Sequence, residues 1–104
     1  MQNTKKKLSI TAEILIKDEM DLATGIEEIM QFCLDMNSEP GCEIAVVHQD
    51  RENPRKIVLW EIYKDEDAFA DHFKAPHTQA FFSREITELK WASETSPLSE
   101  LTAE

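Results

Sequence analysis

The sequence is poor in the residues that several classes of protein require. It contains two glycines, which excludes a glycine-rich phosphate loop of the G-x-G-x-x-G type. Its two cysteines among 104 residues are far too few for a disulfide scaffold. Apolar runs such as residues 14–16 and 44–47 are much shorter than the roughly 20 residues that cross a membrane. With 41% hydrophobic residues the chain still has enough apolar material for one globular domain.

Basic residues are scarce as well. There are 11 Lys and Arg against 21 Asp and Glu, and the formal net charge is −10. Repulsion makes nucleic acid and anionic membrane surfaces unfavourable partners. The basic run at residues 5–7 is not followed by the apolar core of a secretory signal, so we expect a cytoplasmic protein. In that reducing compartment we do not expect a disulfide between Cys33 and Cys42.

The first half of the chain predicts two strands separated by a helix and then a third strand. Apolar residues at intervals of two predict a strand over residues 8–16. Apolar steps of three and four predict a helix that begins after Asp21 and ends before Pro40. Residues 42–49 and 56–63 are predicted to form an antiparallel hairpin.

The second half predicts helix and then strand. Residues 65–74 have helical spacing, Pro76 interrupts that helix, and a short helical turn is expected over about residues 77–83. Alternation over residues 87–91 predicts a fourth strand. The order β-α-β-β-α-β predicts an α+β, ferredoxin-like protomer with an antiparallel sheet.

We divide the chain into three parts. Residues 1–7 are expected to be a disordered polar N-terminus, residues 8–92 the folded domain, and residues 93–104 a loose acidic tail.

Strands two and three are apolar on both faces, although two helices can cover only one face of the sheet. The sets expected on opposite faces are Ile44, Val46, Ile57 and Leu59 on one, and Ala45, Val47, Val58, Trp60 and Ile62 on the other. An uncovered apolar face of this size is typical of an interface. A second copy related by a two-fold axis would cover it, so we predict a homodimer.

Two segments are distinctive. Residues 61–68 read Glu-Ile-Tyr-Lys-Asp-Glu-Asp-Ala, followed by His72 and the pair Pro76-His77, and residues 39–42 read Glu-Pro-Gly-Cys. In order and spacing they resemble the antibiotic biosynthesis monooxygenase domain family, in its quinol monooxygenase-like form, over about residues 8–92. The resemblance implies that the ferredoxin-like protomers form a dimeric α+β barrel with a pocket between sheet and helices.

The resemblance also implies an activity. The best-studied members of this family oxidise electron-rich phenols, quinols or anthrones with O₂ and need no flavin, haem or metal. Their proteins supply a base, hydrogen-bond donors and a dry pocket. We therefore expect a cofactor-independent monooxygenase, an oxidoreductase with a small aromatic or quinol-like substrate, O₂ and no cofactor.

Two residues are candidates for catalysis by this resemblance. His72 matches the histidine of the second helix, and histidine is suited to proton transfer near neutral pH. Glu61 matches the glutamate of the third strand, where a buried carboxylate must be paired, exposed at the rim or functional. The alternatives are a hydrogen-bonded core histidine and a glutamate in a salt bridge with lysine or arginine.

Four further residues are candidates for substrate binding. Tyr63 matches the aromatic residue two positions after the glutamate, and His77 matches the histidine of the Pro-His pair. Trp60 is added because an aromatic wall suits a planar substrate. His48 is added because it lies near the end of strand two, where it could reach the pocket mouth. Each also has a purely structural explanation, in packing, backbone capping or exposure.

Two other functions stay open. One is an isomerase of a small phosphorylated, sugar-derived compound, like the autoinducer-2 phosphate isomerase branch of the family. It would need a cationic anchor, for which the candidates are Arg51, Arg55, Lys56 and Lys74. The other is a non-catalytic small-molecule-binding module, which an apolar cavity with an averted histidine would favour.

Haem degradation and metal binding are not expected. Strand one has no asparagine and residues 65–74 have no tryptophan, which the haem-degrading branch uses. His72 and His77 are five residues apart with a proline between them, so they do not share a helix face as an i, i+4 pair would.

Overall fold

A computed structural model describes residues 6–101 of the chain. The elements in chain order are β1 (Leu8–Ile16), α1 (Leu22–Asn37), β2 (Cys42–Gln49), β3 (Lys56–Tyr63), α2 (Glu66–Lys74), α3 (Pro76–Ser83), β4 (Thr87–Thr95) and α4 (Leu98–Leu101). Of the N-terminus predicted to be disordered, residues 1–5 lie outside the described residues, as do residues 102–104 of the predicted tail. No helix within the described range is long and apolar enough to cross a membrane.

The four strands form one antiparallel sheet in the order β2-β3-β1-β4. This is the ferredoxin-like order, so the predicted fold is confirmed. Core residues of α1 and α3, such as Ile29, Phe32 and Phe81, are buried with β1 and β3 residues such as Ile10 and Leu59. The helices therefore cover the inner face of the sheet, and the other face is called the outer face below.

The register of the β2–β3 hairpin corrects the predicted grouping of apolar residues. Ala45 lies opposite Glu61 and Val47 lies opposite Leu59. Directly paired residues of an antiparallel sheet share a face, so Ala45 and Val47 belong with Leu59 and not with the outer-face residue Trp60. The prediction was wrong because alternation within one strand does not fix which of its faces meets which face of the next strand.

A β-bulge explains a second difference in β2. The register shifts between Cys42 and Ile44, where Cys42 pairs with Tyr63 and Ile44 with Ile62. The extra residue, Glu43, returns Cys42 to the inner face, where its side chain is buried. Without the bulge, alternation along the strand would place Cys42 on the same face as Ile44.

Strand β4 is longer than predicted. It continues to Thr95, because Ser93 pairs with Thr11 and Thr95 pairs with Ser9 of β1. The loose tail expected from residue 93 therefore begins later, and α4 adds a short helical turn within it. The polar composition of these residues was a poor guide because one side of an edge strand faces water.

Side chains of aspartate start both long helices as predicted. The Asp21 carboxylate accepts a hydrogen bond from the Thr24 backbone N–H at 3.1 Å, and the Asp65 carboxylate accepts one from Ala68 at 2.8 Å. α2 ends at Ala75, which has extended backbone angles, and Pro76 starts α3 as a full helix of 8 residues. The proline thus divides two helices.

The turn before β2 lies against the start of α2. A Cβ atom added to Gly41 would lie 2.4 Å from Cβ of Ala68, closer than two carbon atoms can approach. The Gly41 carbonyl also accepts a hydrogen bond from the Lys64 N–H at 2.9 Å. Glycine at this position therefore lets the turn and the helix approach closely, which brings Glu39 near α2.

This close approach gives a prediction about stability. Gly41→Ala should lower the free energy of unfolding by about 1–3 kcal/mol, because the new methyl group must push α2 away from the turn. Ala68→Gly removes the opposing methyl group, so Gly41→Ala should cost less in that background. Urea unfolding of both single variants and the double variant measures the coupling. Strictly additive losses would contradict the contact as the cause.

Candidate functional site

A cavity of about 270 Å³ lies between the inner face of the sheet and helices α1, α2 and α3. Its floor is formed by small and branched apolar residues of β1 and β3, such as Ala12 and Leu59. Its walls are mostly aromatic, and they comprise Phe32, Phe69, Phe73, Phe81 and Phe82. Three polar side chains complete the lining, and they are Glu61, His72 and Thr87. The cavity suits an apolar, planar molecule with few polar groups.

His72 faces this cavity from the buried side of α2, where only 4% of the residue is exposed. Its Nδ1 atom lies 2.8 Å from Oε2 of Glu39. A carboxylate can only accept, so Nδ1 carries the proton of this hydrogen bond. The unprotonated nitrogen is then Nε2, which is left as the proton acceptor of the ring. The contact with Glu39 thus fixes both the orientation and the tautomer of the histidine.

Glu39 also binds the second histidine. Its Oε2 atom lies 2.5 Å from Nε2 of His77, which is the second residue of α3. The Thr78 hydroxyl lies 3.4 Å from Nδ1 of His72. The break at Ala75–Pro76 turns the chain so that two histidines on different helices reach the same carboxylate oxygen. The sequence spacing had indicated only that the two histidines do not share one helix face, and they indeed lie on different helices.

Glu39 was recognised in the sequence only as part of the Glu-Pro-Gly-Cys turn, and it was not predicted to be a site residue. Its side chain is only 12% exposed. A carboxylate that starts a turn directly after a helix is ordinarily solvated, and nothing local to the sequence shows that α2 and α3 cover it. The available signal was the recurrence of Glu-Pro-Gly-Cys together with His72 and Pro76-His77 in one family pattern.

Glu61 and Tyr63 form a second buried pair on the inner face of β3. The Tyr63 hydroxyl donates to Oε1 of Glu61 at 2.7 Å, and no lysine or arginine within residues 6–101 makes a salt bridge with Glu61. Burial raises the pKa of Glu61, while the Tyr63 hydrogen bond and the nearby His72 oppose that rise. Burial and the Glu61 carboxylate also raise the pKa of Tyr63, so its hydroxyl stays protonated and remains a donor.

The remaining predicted binding residues lie elsewhere. Trp60 pairs with Thr11 and Val46, and its side chain points to the outer face of the sheet. His48 is exposed and also lies on the outer face, opposite Val58. Neither residue lines the cavity. Consecutive side chains of a strand point to opposite faces of the sheet, so Trp60 could not share the cavity with Glu61. Phenylalanines form the aromatic walls instead.

The sequence model described as antibiotic biosynthesis monooxygenase matches residues 12–84. The chain belongs to the antibiotic biosynthesis monooxygenase family. The matched residues include Glu39, Glu61, His72 and His77.

Individual relatives agree with this assignment. The uncharacterized protein YjcS of Bacillus subtilis is 34% identical over 82 residues, which cover 79% of this chain and 78% of that protein. A solved structure of protein YjcS has a TM-score of 0.80 at 30% identity, with coverage of 88% and 99%. SnoaB, a cofactor-independent oxygenase from Streptomyces nogalater, has a TM-score of 0.75 at 12% identity, with coverage of 88% and 93%. At that identity the likeness to SnoaB concerns the fold.

The buried glutamate gives a prediction about pH. The pKa of Glu61 is higher in the folded protein than its ordinary value of 4.5, so the folded state binds more protons above that pH. The free energy of unfolding should therefore fall as pH rises from 4.5 through the raised pKa. Glu61→Gln should remove this loss, so its stability relative to the wild type should improve as pH rises.

Urea unfolding between pH 4.5 and pH 8 tests this. Glu52→Gln, in an exposed loop, makes the same change in net charge and serves as the control. A difference between Glu61→Gln and wild type that stays flat over the range would contradict the assigned direction.

Proposed function

We propose that the protein is a cofactor-independent monooxygenase that oxidises a small aromatic or quinol-like substrate with O₂. The observation that carries the proposal is the placement of His72. It is the one histidine lining an apolar, aromatic-walled cavity among the described residues, and Glu39 holds its Nδ1–H. Family membership and the fold shared with the oxygenase SnoaB support the same activity.

The proposed reaction begins with proton transfer to Nε2 of His72. The resulting phenolate or carbanion is electron-rich enough to give one electron to O₂, and the two radicals combine to form a C–O bond. The O–O bond of the protonated peroxide then breaks. Its outer OH group leaves as water together with the second hydrogen of the same carbon. In balance, CH₂ (or its phenol tautomer) and O₂ give C=O and H₂O. An apolar cavity stabilises the charged substrate anion and the reduced oxygen less than water does. Polar side chains must therefore be positioned to stabilise them.

Glu61 is the second catalytic candidate. Its Oε1 is held by Tyr63, which leaves Oε2 for a ligand in the cavity. Because burial raises the pKa of this carboxyl, it can carry a proton at a higher pH than an exposed glutamate does. We propose that it returns a proton to the leaving peroxide oxygen. Tyr63 then acts through Glu61, and His77 acts through Glu39.

The two alternatives have weaker support. A phosphorylated substrate would need a cationic anchor, yet no Lys or Arg within the described part of the chain lines the cavity. Of the anchors considered, Arg55 instead donates to the backbone carbonyls of Lys17 and Met20. A non-catalytic binding module is disfavoured because His72 and Glu61 both face the cavity. The cytoplasmic location stays a prediction.

Oxygen uptake by chelator-treated, colourless protein with a panel of quinols and anthrones tests the activity. His72→Ala should lower the enzymatic rate by about 100- to 10,000-fold, the usual contribution of a general base. Glu52→Ala is the control, because Glu52 is exposed in the loop between β2 and β3, does not line the cavity, and its loss should leave the rate unchanged. Protein-dependent uptake that is insensitive to His72→Ala would remove His72 from the reaction. Uptake at the spontaneous rate with every substrate would contradict the oxygenase proposal.

We further propose that the chain works as a homodimer through the outer face of the sheet. Three large apolar side chains there are partly exposed, Ile44 at 38%, Trp60 at 39% and Trp91 at 49%. Helices α1, α2 and α3 pack on the inner face, so they do not cover these three side chains. A second copy packed sheet to sheet would bury them.

Sedimentation at micromolar concentration tests the dimer. Ile44→Asp should raise the dimer dissociation constant by about 100-fold or more, because an unpaired charge would be buried at the interface. Leu34→Asp is the control, since Leu34 is 65% exposed on α1 and away from the sheet. A monomeric wild type, or equal effects of the two variants, would contradict this interface.

A further inference from the structure

The cluster of Glu39, His72 and His77 has the composition of a metal site. A carboxylate oxygen of Glu39, Nδ1 of His72 and Nε2 of His77 all lie within 4.8 Å of one another. Two imidazoles and one carboxylate form a donor set that binds zinc and related divalent metals. Ligand atoms around zinc lie about 3.3 Å apart, as bond lengths of about 2.0–2.2 Å require. The Glu39 oxygen lies 2.8 and 2.5 Å from the two nitrogens, so the carboxylate would have to move away from both to admit the ion.

The cluster also has a route to solvent. Glu39 forms part of the wall of a surface groove of about 380 Å³, whose lining residues differ from those of the apolar cavity. The other charged residues that line the groove are Asp65, Asp67, Asp71 and Lys64. This excess of carboxylates, on a chain of net charge −10, attracts cations to the groove. An ion could thus reach Glu39 without passing through the cavity.

We propose that Glu39, His72 and His77 form a binding site for one divalent transition metal of the zinc class. Cys33 and Cys42 are the soft ligands that could compete for such an ion. Burial raises the pKa of Cys42 to about 11 and also raises the pKa of Cys33, so both remain thiols at neutral pH. Thiols are poor ligands compared with thiolates, which leaves the histidine cluster as the better site.

Metal binding would change the chemistry of His72. The ion replaces the protons on Nδ1 of His72 and Nε2 of His77, and these protons move through solvent to the other nitrogen of each ring. Nε2 of His72 then carries a proton and can no longer accept one from a molecule in the cavity. This consequence rests on the proposed function: zinc should inhibit a reaction in which Nε2 is the base.

Isothermal titration of the full, chelator-treated chain with zinc chloride tests the site, and the absorption spectrum with cobalt(II) reports its ligands. We expect one zinc per chain. Glu39→Gln and His77→Ala should each weaken binding at least ~100-fold, because the loss of even an outer partner of a ligand costs about 10–100-fold. The side chains of Glu39 and His77 are partly exposed. Thermal melts of both variants should be measured to establish that they fold.

His48→Ala is the matched control and should bind zinc as the wild type does. No binding at 100-fold excess of zinc over protein, or equal binding by all three variants, would overturn the proposal. These titrations contain no substrate, so they decide the metal site even if no oxygenase activity is found. Tight zinc binding together with undiminished oxygen uptake would overturn the proposed effect on His72 alone.

Discussion

The shared carboxylate oxygen of Glu39 is the contact on which the arrangement of this site depends. It joins the turn after α1 to α2 through His72 and to α3 through His77. The two helices are separated at Ala75–Pro76, so the histidines lie on different helices and their side chains meet at the carboxylate. A buried carboxylate with one histidine would still leave acceptor capacity unsatisfied. The second histidine, half-buried at the start of α3, completes the arrangement.

This contact in turn requires a close turn. Glu39 reaches α2 only because Gly41 lets the backbone approach Ala68 without a Cβ between them. The bulge at Glu43 then returns Cys42 to the inner face and lets β2 continue beside β3. The backbone between Pro40 and Glu43 thus determines where the Glu39 carboxylate points. Through that carboxylate it determines the tautomer of His72 at the cavity.

Much of the fold could be predicted from the sequence, because apolar periodicity and capping residues act locally. The strand over residues 8–16 and the helices capped by Asp21 and Asp65 lie where these patterns placed them. The pairing of faces between β2 and β3 could not be predicted in this way, since a bulge changes the phase of a strand. The polar end of β4 was missed because its pairing with Ser9 and Thr11 is long-range.

The site follows the same division. Glu61 and His72 were identified from short motifs, and both face the cavity. Trp60 was chosen for its chemistry without regard to its phase, although a strand that turns Glu61 inward must turn Trp60 outward. Glu39 could not be found by local reasoning, because its partners are 33 and 38 residues away in sequence.

The two buried carboxylates of this site have different partners and therefore different capacities. Glu39 accepts hydrogen bonds from two imidazoles, so the ring nitrogens that face it carry the protons and Nε2 of His72 is left as the acceptor of that ring. Glu61 has only a phenol as donor, and burial accordingly raises its pKa. One carboxylate thus keeps a histidine ready to accept a proton, while the other is itself able to hold one. The proposed reaction, which removes a proton at its first step and returns one at its last, would use both groups, and His72 and Glu61 line the same aromatic-walled cavity.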